Sequence, residues 1–501
     1  MTTTRFLAFD LGAESGRAVV GTLADGRLTL EEIHRFPNEP VEVAGTLCWD
    51  ILGLYNNVLK GLRAYVERYG AEVASVGIDS WSVDFGLLDK PGGLLGNPVH
   101  YRDRRTDGMV EVAAERMELG RLYELTGLAP NKIHTAFQML ALREQGSALL
   151  PVAATFLMIP DLLAYFLTGE RVCERTNAIH TQLYDPRRGE WCGEVFAALG
   201  LPREIMPPLV DPGTRVGTLR ESVQRTTGMG AAAVVAPCTH DTGSAVAGVP
   251  FRGRARYVAR ALQETESAAF LSSGTWSILG ALTGGPVTTG EAYAARINNE
   301  LSLDFFVCRN IMGLWLLQEC RRIWARAGEN YSYEELVARA EGAPGGGAVV
   351  WPDAADFLAP EEMPAAIRDY CRANGQAPPE GVAAMVRCIL ESLALSYRHG
   401  LEQFTRVLGH GFEVVHVVGG GSQNRLLCQL TADATGLPVT AGPVEATVAG
   451  NVLVQALAGG FLANKAELRE VVRASFSPVE YAPRKNEALE GQYGRYRELV
   501  G

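Results

Sequence analysis

The chain has 501 residues, 47% of them hydrophobic and 21% charged, which is too apolar for disorder and too long for one ordinary core. Fifty-seven acidic side chains against 46 basic ones leave a net charge of −11, with no basic tract to offset it, so nucleic-acid binding as a main role and docking on anionic lipid are both excluded. The nine cysteines are scattered without a Cys-x-x-Cys pair, which argues against a zinc ribbon and against a disulfide scaffold. The first apolar run stops at Asp10, too early for a signal peptide, and no uninterrupted apolar stretch reaches the ~18 residues of a membrane span. The expected setting is the reducing cytoplasm.

In chain order, Phe6–Phe9, Ala18–Val20 and Leu28–Leu30 predict an antiparallel meander with a turn at Asp25-Gly26. Apolar residues at 51, 54, 55, 58, 59, 62 and 66 predict a helix over about 51–67, and Ala74–Asp79 a buried strand. The second half repeats this grammar. A strand over 231–236 ends near Asp241, and strand, turn and strand follow over 270–279. A long helix is expected near 382–408, then a strand over 414–418 that enters Gly419-Gly-Gly421 ahead of a helix from Gln423 to about Thr435. Residues 342–347 read as a loop, and 487–498 as a solvated helix. Two strand-rich α/β halves, with a boundary near 245–255, suggest a duplicated fold with a cleft between lobes.

Four elements carry chemistry. Phe9-Asp-Leu-Gly-Ala-Glu-Ser-Gly-Arg17 is either an ordinary hairpin or a cradle whose backbone N–H groups face an anion, with Asp10 available to a hydrated magnesium ion and Ser15 and Arg17 to phosphate oxygens. It matches neither the Walker loop nor the Rossmann fingerprint. Three glycines in Val417-Val-Gly-Gly-Gly-Ser-Gln-Asn-Arg425, after a strand and before a helix, allow close approach of a nucleotide. Gly442–Asn451 is expected to pack behind that turn. Asp241, in Pro237-Cys-Thr-His-Asp-Thr-Gly-Ser244, can take a proton from a hydroxyl that attacks phosphorus, or can simply cap the next helix. Gly77-Ile-Asp-Ser-Trp-Ser-Val-Asp-Phe85 offers an aromatic face between carboxylates and hydroxyls, suited to a sugar, although a core tryptophan with surface acids fits the composition equally well. His34, His134, His180 and His416 lack carboxylate or cysteine neighbours at ligand spacing and read as structural, as do the lone cysteines. Arg102, Arg104 and Arg105 read as a salt-bridged face.

The ordered set Asp10–Arg17, Gly77–Phe85, Tyr101-Arg-Asp-Arg-Arg-Thr106, Ile159–Leu163, His240-Asp-Thr242, Ser272-Ser-Gly-Thr-Trp276, Asn310-Ile-Met-Gly-Leu-Trp315 and Gly419–Asn424 resembles the FGGY carbohydrate kinases over residues 5 to about 480. The resemblance implies two ribonuclease-H-like, actin-like ATPase domains, 1–248 and 249–501, with an active-site cleft between them. It implies ATP and Mg2+ as cofactors, with Asp10 near the metal. Asp241 is implied as the catalytic base, and Trp81, Ser82, His240, Asp241, Thr242 and Asn310 as sugar contacts. Ala13, Glu14, Ser15, Gly16, Arg17, Thr275, Gln318 and Gly420 are implied at the nucleotide.

The implied activity is transfer of the γ-phosphate to the 1-hydroxyl of a ketose, L-rhamnulose first, by a monomer or homodimer whose partners are only sugar and ATP. Two departures stand out. Position 82 is Ser where the most similar members carry Gly in Trp-Gly-Val-Asp, which admits another ketose or deoxysugar such as L-fuculose. Residues 252–269 are longer than the usual connection and suggest a surface helix or hairpin. A non-catalytic sensor of sugar and ATP is the alternative from another class, since the fold implies movement but not chemistry.

Overall fold

A computed structural model describes residues 3–252, 256–258, 261–263 and 267–501. The chain divides into two compact units that are not contiguous in sequence. The first comprises Met1–Pro250, Thr283–Val307 and Ala446–Ser475, and the second Phe251–Leu282, Cys308–Glu445 and Phe476–Gly501. Excursions from the second half of the sequence therefore complete the first unit.

The sheet of the first unit runs in the order Thr214–Thr218, Ala233–Ala236, Ser75–Ser80, Thr4–Leu11, Ser15–Ala24, Arg27–Pro37. The last three form the antiparallel meander, and Ser75–Ser80 and Ala233–Ala236 add in parallel. Asp25 and Gly26 both have positive φ, 51° and 70°, as a hairpin turn matched to the strand twist requires. The helix Ile51–Tyr69 is capped by the Asp50 carboxylate, which accepts from the Gly53 N–H, and buries Ile51, Leu54, Val58, Leu62 and Tyr65. That is one stripe at helical spacing. Gly61 is needed on that stripe because a Cβ there would stand 2.6 Å from Phe9.

The second unit repeats the scheme. Ala268–Ser273 pairs antiparallel with Trp276–Thr283 and parallel with Val414–Val418; Val439–Ala441 follows in parallel and Val479–Tyr481 closes antiparallel. The long helix Gly381–Leu408 precedes the parallel strand Val414–Val418, as the helix Ile51–Tyr69 precedes Ser75–Ser80 in the first unit. The expected helix from Gln423 is corrected: Gly420–Gln423 forms a short 3-10 turn, and the α-helix is Arg425–Thr435 with Asn424 as its cap. The C-terminal helix Glu487–Val500 is not merely solvated, since Leu489, Gln492, Tyr493 and Tyr496 are buried. In the long connection, Arg256–Val258 and Ala261–Gln263 pair antiparallel; the rest of the expected helix or hairpin there lies outside the described residues. Among the described residues no helix is long and apolar enough to cross a membrane. Eight of the nine free cysteines are buried, as apolar fillers are.

Close helix packing ties the remote excursion to the first unit. The helix Ala446–Ala458 lies on the helix Asp241–Ala247, and a Cβ on Gly450 would fall 1.8 Å from the Ser244 carbonyl oxygen. Gly491, in Glu487–Val500, has nothing within 4 Å of its Cβ position and is exposed. Gly491→Ala is expected to raise stability by about 0.5–1 kcal/mol through helix propensity, whereas Gly450→Ala should cost about 1–3 kcal/mol or more through overpacking. Thermal melts of the two variants measure both signs.

Candidate active site

The strand register assembles the site in the first unit. Asp10 and Asp79 are direct partners across the parallel pair Thr4–Leu11 and Ser75–Ser80, so both carboxylates leave the same face of the sheet. The neighbouring strand Ala233–Ala236 delivers the turn Pro237–His240, which the Ser80 N–H fixes by donating to the Thr239 carbonyl at 2.9 Å. Asp241 then starts the helix Asp241–Ala247, where its Oδ1 accepts from the Thr242 N–H at 2.5 Å and the Thr242 hydroxyl at 3.2 Å. His240, not Asp241, occupies the cap position of that helix, so the simple capping reading is corrected.

These carboxyls are electrostatically abnormal for identifiable reasons. Burial, then the negative charge of Asp10, pushes Asp241 up to about 7. Its side chain nevertheless keeps 34% of its surface open. Asp79 is fully buried and is held well above the usual carboxylate range by burial and then by Asp10. Its Oδ2 accepts from Asn451 Nδ2 at 2.5 Å, while Oδ1 has no hydrogen-bond partner. Arg17 Nε and Nη2 converge on one oxygen of Asp10, Oδ2, at 2.9 and 2.8 Å, leaving Oδ1 available. Around them, His240 Nε2 stands 3.3 Å from Asp241 Oδ1, and burial pushes the imidazole down to about 3, so it is neutral.

The loop between the first two strands is a tight hairpin. The Gly12 N–H donates to the Ser15 carbonyl at 2.9 Å, and Asn38 Nδ2 donates to the Gly12 carbonyl at 2.8 Å. Ala13, Ser15 and Arg17 are partly exposed and Glu14 is exposed, whereas Gly16 is buried against Phe36. Gly16 therefore serves packing, and the face open to an anion is that of residues 12–15.

The tryptophan motif resolves differently from either sequence reading. Its acids are not at the surface: Asp79 and Asp84 are 0% and 1% exposed. Trp81 is buried against Trp49, ring centroids 4.1 Å apart. Asp84 Oδ2 accepts from the Trp49 indole at 2.6 Å, the Trp81 indole at 3.0 Å and the Tyr101 N–H at 3.2 Å, while Oδ1 accepts from Gln138 Nε2 at 2.9 Å. Burial still raises Asp84 to about 6. Trp81 is therefore a core residue that sets the loop, and the partly exposed Ser82 is the position that can meet a ligand. Instead of an ion-paired arginine face, Arg105 Nη2 donates to Gln138 Oε1 at 2.7 Å and Arg102 lies over the Tyr101 ring.

In the second unit a pocket of about 560 Å3 is lined by Gly274, Leu314, Leu317, Gln318, Tyr333 and Gly420 among others, a size suited to a small-molecule ligand. It brings together Gln318 and Gly420. Thr275 adjoins it, its carbonyl accepting from the Gly313 and Trp315 N–H groups at 3.1 and 3.2 Å. Gly421, pressed on Ser273, has no room for a Cβ. Asn310 is exposed on the strand Phe305–Met312 and is not among the pocket's lining residues.

Sequence reasoning missed Glu174, Glu300 and Asn451. Buried Glu174 accepts through Oε2 from the Thr239 N–H at 2.9 Å and its hydroxyl at 2.8 Å, so it fixes the turn before Asp241. The 442–451 segment packs behind the glycine turn of the second half at its start, where the Gly419 N–H donates to the Pro443 carbonyl at 3.1 Å, but its last residue, Asn451, grips Asp79 of the first unit. No local spacing signals these contacts.

The N-terminal domain model of the FGGY family of carbohydrate kinases matches residues 5–248, and its C-terminal domain model matches residues 269–459. The chain belongs to the FGGY family of carbohydrate kinases. It is 41% identical to a rhamnulokinase of Bacteroides thetaiotaomicron over 497 residues, 99% of each chain, and 37% identical to a rhamnulokinase of Oceanobacillus iheyensis over 95% of this chain and 98% of that one. Its fold is that of a gluconate kinase from Lactobacillus acidophilus (TM-score 0.81, 15% identity, 99% and 98% of the two chains). A Plasmodium falciparum glycerol kinase solved with ADP gives a TM-score of 0.79 at 16% identity and the same coverage. The two-domain, actin-like and ribonuclease-H-like architecture is that of these sugar kinases, and as a family member the chain is an ATP-dependent sugar phosphotransferase.

Removing the Trp49 N–H while keeping an aromatic ring isolates what Asp84 needs. Trp49→Phe is expected to cost about 2–4 kcal/mol, combining a lost hydrogen bond to a charged group with a cavity. The loss should be larger at pH 8 than at pH 5. The folded-state value of about 6 means the carboxyl is mostly neutral at the lower pH, where the missing donor matters less. Denaturant unfolding at the two pH values checks the magnitude and the sign.

Proposed function

We propose that the chain is an ATP-dependent L-rhamnulose kinase acting in the cytoplasm, forming L-rhamnulose 1-phosphate and ADP in L-rhamnose catabolism. The sugar name comes from the rhamnulokinases it matches over nearly their full length. The observation that carries the chemistry is Asp241: a carboxyl raised to about 7, reachable from solvent, at the start of a helix and beside His240. In this reading Asp241 Oδ accepts the proton of the sugar's 1-hydroxyl as that oxygen bonds to the γ-phosphorus. The bond from the γ-phosphorus to its bridging oxygen breaks, and ADP leaves with the electron pair.

We assign the sugar and the phosphate hairpin to residues 1–248, with Ser82, His240 and Thr242 on the sugar and the N–H groups of Ala13 to Ser15 on phosphate. Residues 249–501 take the adenine and ribose in the pocket lined by Gln318 and Gly420, and Asn310 adds a sugar contact. The carboxylates of Asp10 and Asp79 fit a hydrated magnesium ion, because a buried Asp79 oxygen lacks any hydrogen-bond partner beside a second acid. Bound there, magnesium supplies neutralising charge to the phosphate oxygens. His240, neutral at working pH, can accept or donate toward the sugar without adding charge.

Asp241→Asn should lower kcat by about 10²–10⁴-fold with ATP binding retained. In wild type kcat/KM should fall about tenfold per pH unit below about 7, since the base must be ionised. ADP release with L-rhamnulose, L-fuculose, L-xylulose and L-ribulose tests the substrate, with L-rhamnulose expected to lead. A panel led by another sugar would move the specificity, and Ser82→Gly would then be expected to restore preference for L-rhamnulose.

A further inference from the structure

His180, His240 and Glu300 meet in the first unit from three separate places: the 3-10 turn Ile179–Thr181, the residue before the helix Asp241–Ala247, and the strand Asn298–Leu301. Their exposures are 6%, 7% and 3%. One ligand atom from each lies within 4.8 Å of the others. The two imidazoles face each other with centroids 4.0 Å apart and planes inclined by 58°, so neither ring is simply stacked apolar filling.

The distances within the trio are informative. His180 Nε2 is 3.4 Å and His240 Nδ1 is 3.6 Å from the same oxygen, Glu300 Oε2. An N–H···O hydrogen bond closes to roughly 2.7–3.2 Å, and neither ring nitrogen makes one. Ligands at roughly 2.0–2.2 Å from a tetrahedral zinc ion stand about 3.3–3.6 Å apart, which is the separation of each nitrogen from the Glu300 oxygen. Two buried imidazole nitrogens without hydrogen-bond partners are costly as they stand, and a cation held between them and the carboxylate relieves both. Burial keeps His240 neutral, so its nitrogen binds without first losing a proton. Two imidazoles and one carboxylate suit a zinc-class ion rather than magnesium, which prefers oxygen.

We propose that His180, His240 and Glu300 form a buried site for a divalent transition-metal ion of the zinc class, with a fourth position left for water or a hydroxyl. This site is distinct from the oxygen-rich Asp10 and Asp79 pair. Because His240 also faces Asp241, occupancy fixes that ring and lowers sugar phosphorylation. This last consequence rests on the kinase reading; the site itself does not.

The test uses the full chain, stripped with chelator and with the partly exposed Cys48 alkylated, in the absence of sugar and ATP. Equilibrium dialysis should give about one tightly held zinc ion per chain, and Co2+ should give an intense visible spectrum of a tetrahedral nitrogen and oxygen site. His180→Asn and Glu300→Gln, each checked for folding by circular dichroism, should weaken binding by at least about 100-fold, since changing even a residue that only hydrogen-bonds a metal ligand costs about 10–100-fold. Wild-type protein that retains no zinc, or two folded variants that bind as tightly as wild type, would overturn the proposal. Zinc bound as expected while no sugar is phosphorylated would leave the site standing and remove only its inhibitory role.

Discussion

Three aspartates held near one another in one unit set the terms for everything else here. Asp10 and Asp79 are register partners on adjacent parallel strands, and Asp241 follows the strand on the other side of Ser75–Ser80. Like charges at such separations in a poorly hydrated place raise one another's proton affinity, as Asp79 and Asp241 both show. A fold relieves this only by supplying donors or by meeting cations. Arg17 and Asn451 supply donors to Asp10 and Asp79, leaving oxygens to spare. Added positive charge would therefore stabilise this cluster, and Asp241 is a carboxyl whose proton affinity lies near neutrality. The hairpin, through Arg17, and the remote helix, through Asn451, both serve that arrangement.

The remote helix shows how the constraint reaches across sequence. Gln455 accepts from the Ser75 hydroxyl at 2.7 Å and donates to Asn451 Oδ1 at 2.6 Å, which orients the Asn451 amide toward Asp79. Gly77 must be glycine because a Cβ would stand 2.6 Å from both amides. On the opposite flank Gly450 and Gly248 let the helix Ala446–Ala458 touch the helix that begins with Asp241. Gly77, within the strand expected over 74–79, thus answers to packing against Asn451 and Gln455 of a helix remote in sequence.

What was legible in the sequence was whatever is local or periodic. The stripe at 51–66, the Asp25-Gly26 turn and the strand that leads to Asp241 each carry their cause within a few residues, and the ordered motifs carried the family. What was not legible depends on partners brought together by topology. His180 reads as structural because no carboxylate or cysteine stands at ligand spacing from it; Glu300, which it meets at 3.4 Å, arrives from 120 positions away. Asp84 reads equally as a sugar-facing or a surface acid, yet two indoles, an amide and a backbone N–H converge on it. The helix over 487–498 reads as solvated because its polar residues outnumber its apolar ones, although four side chains on one face are enough to dock it.

The Asp84 network also decides what the departure at position 82 can mean. Trp81 is held by its indole on Asp84 and by the Trp49 ring. Val83 has φ of 72°, a conformation a β-branched residue adopts only when its surroundings enforce it. They do, since the Val83 carbonyl accepts from the Thr135 hydroxyl at 2.6 Å and from Gln138 Nε2 at 3.2 Å. Ser82 sits between two neighbours that cannot move. A side chain there is therefore an addition to a fixed backbone, removing space and offering one hydroxyl without shifting Asp79 or Asp84. In the proposed reading, specificity can therefore vary at this position while the carboxylate cluster stays unchanged.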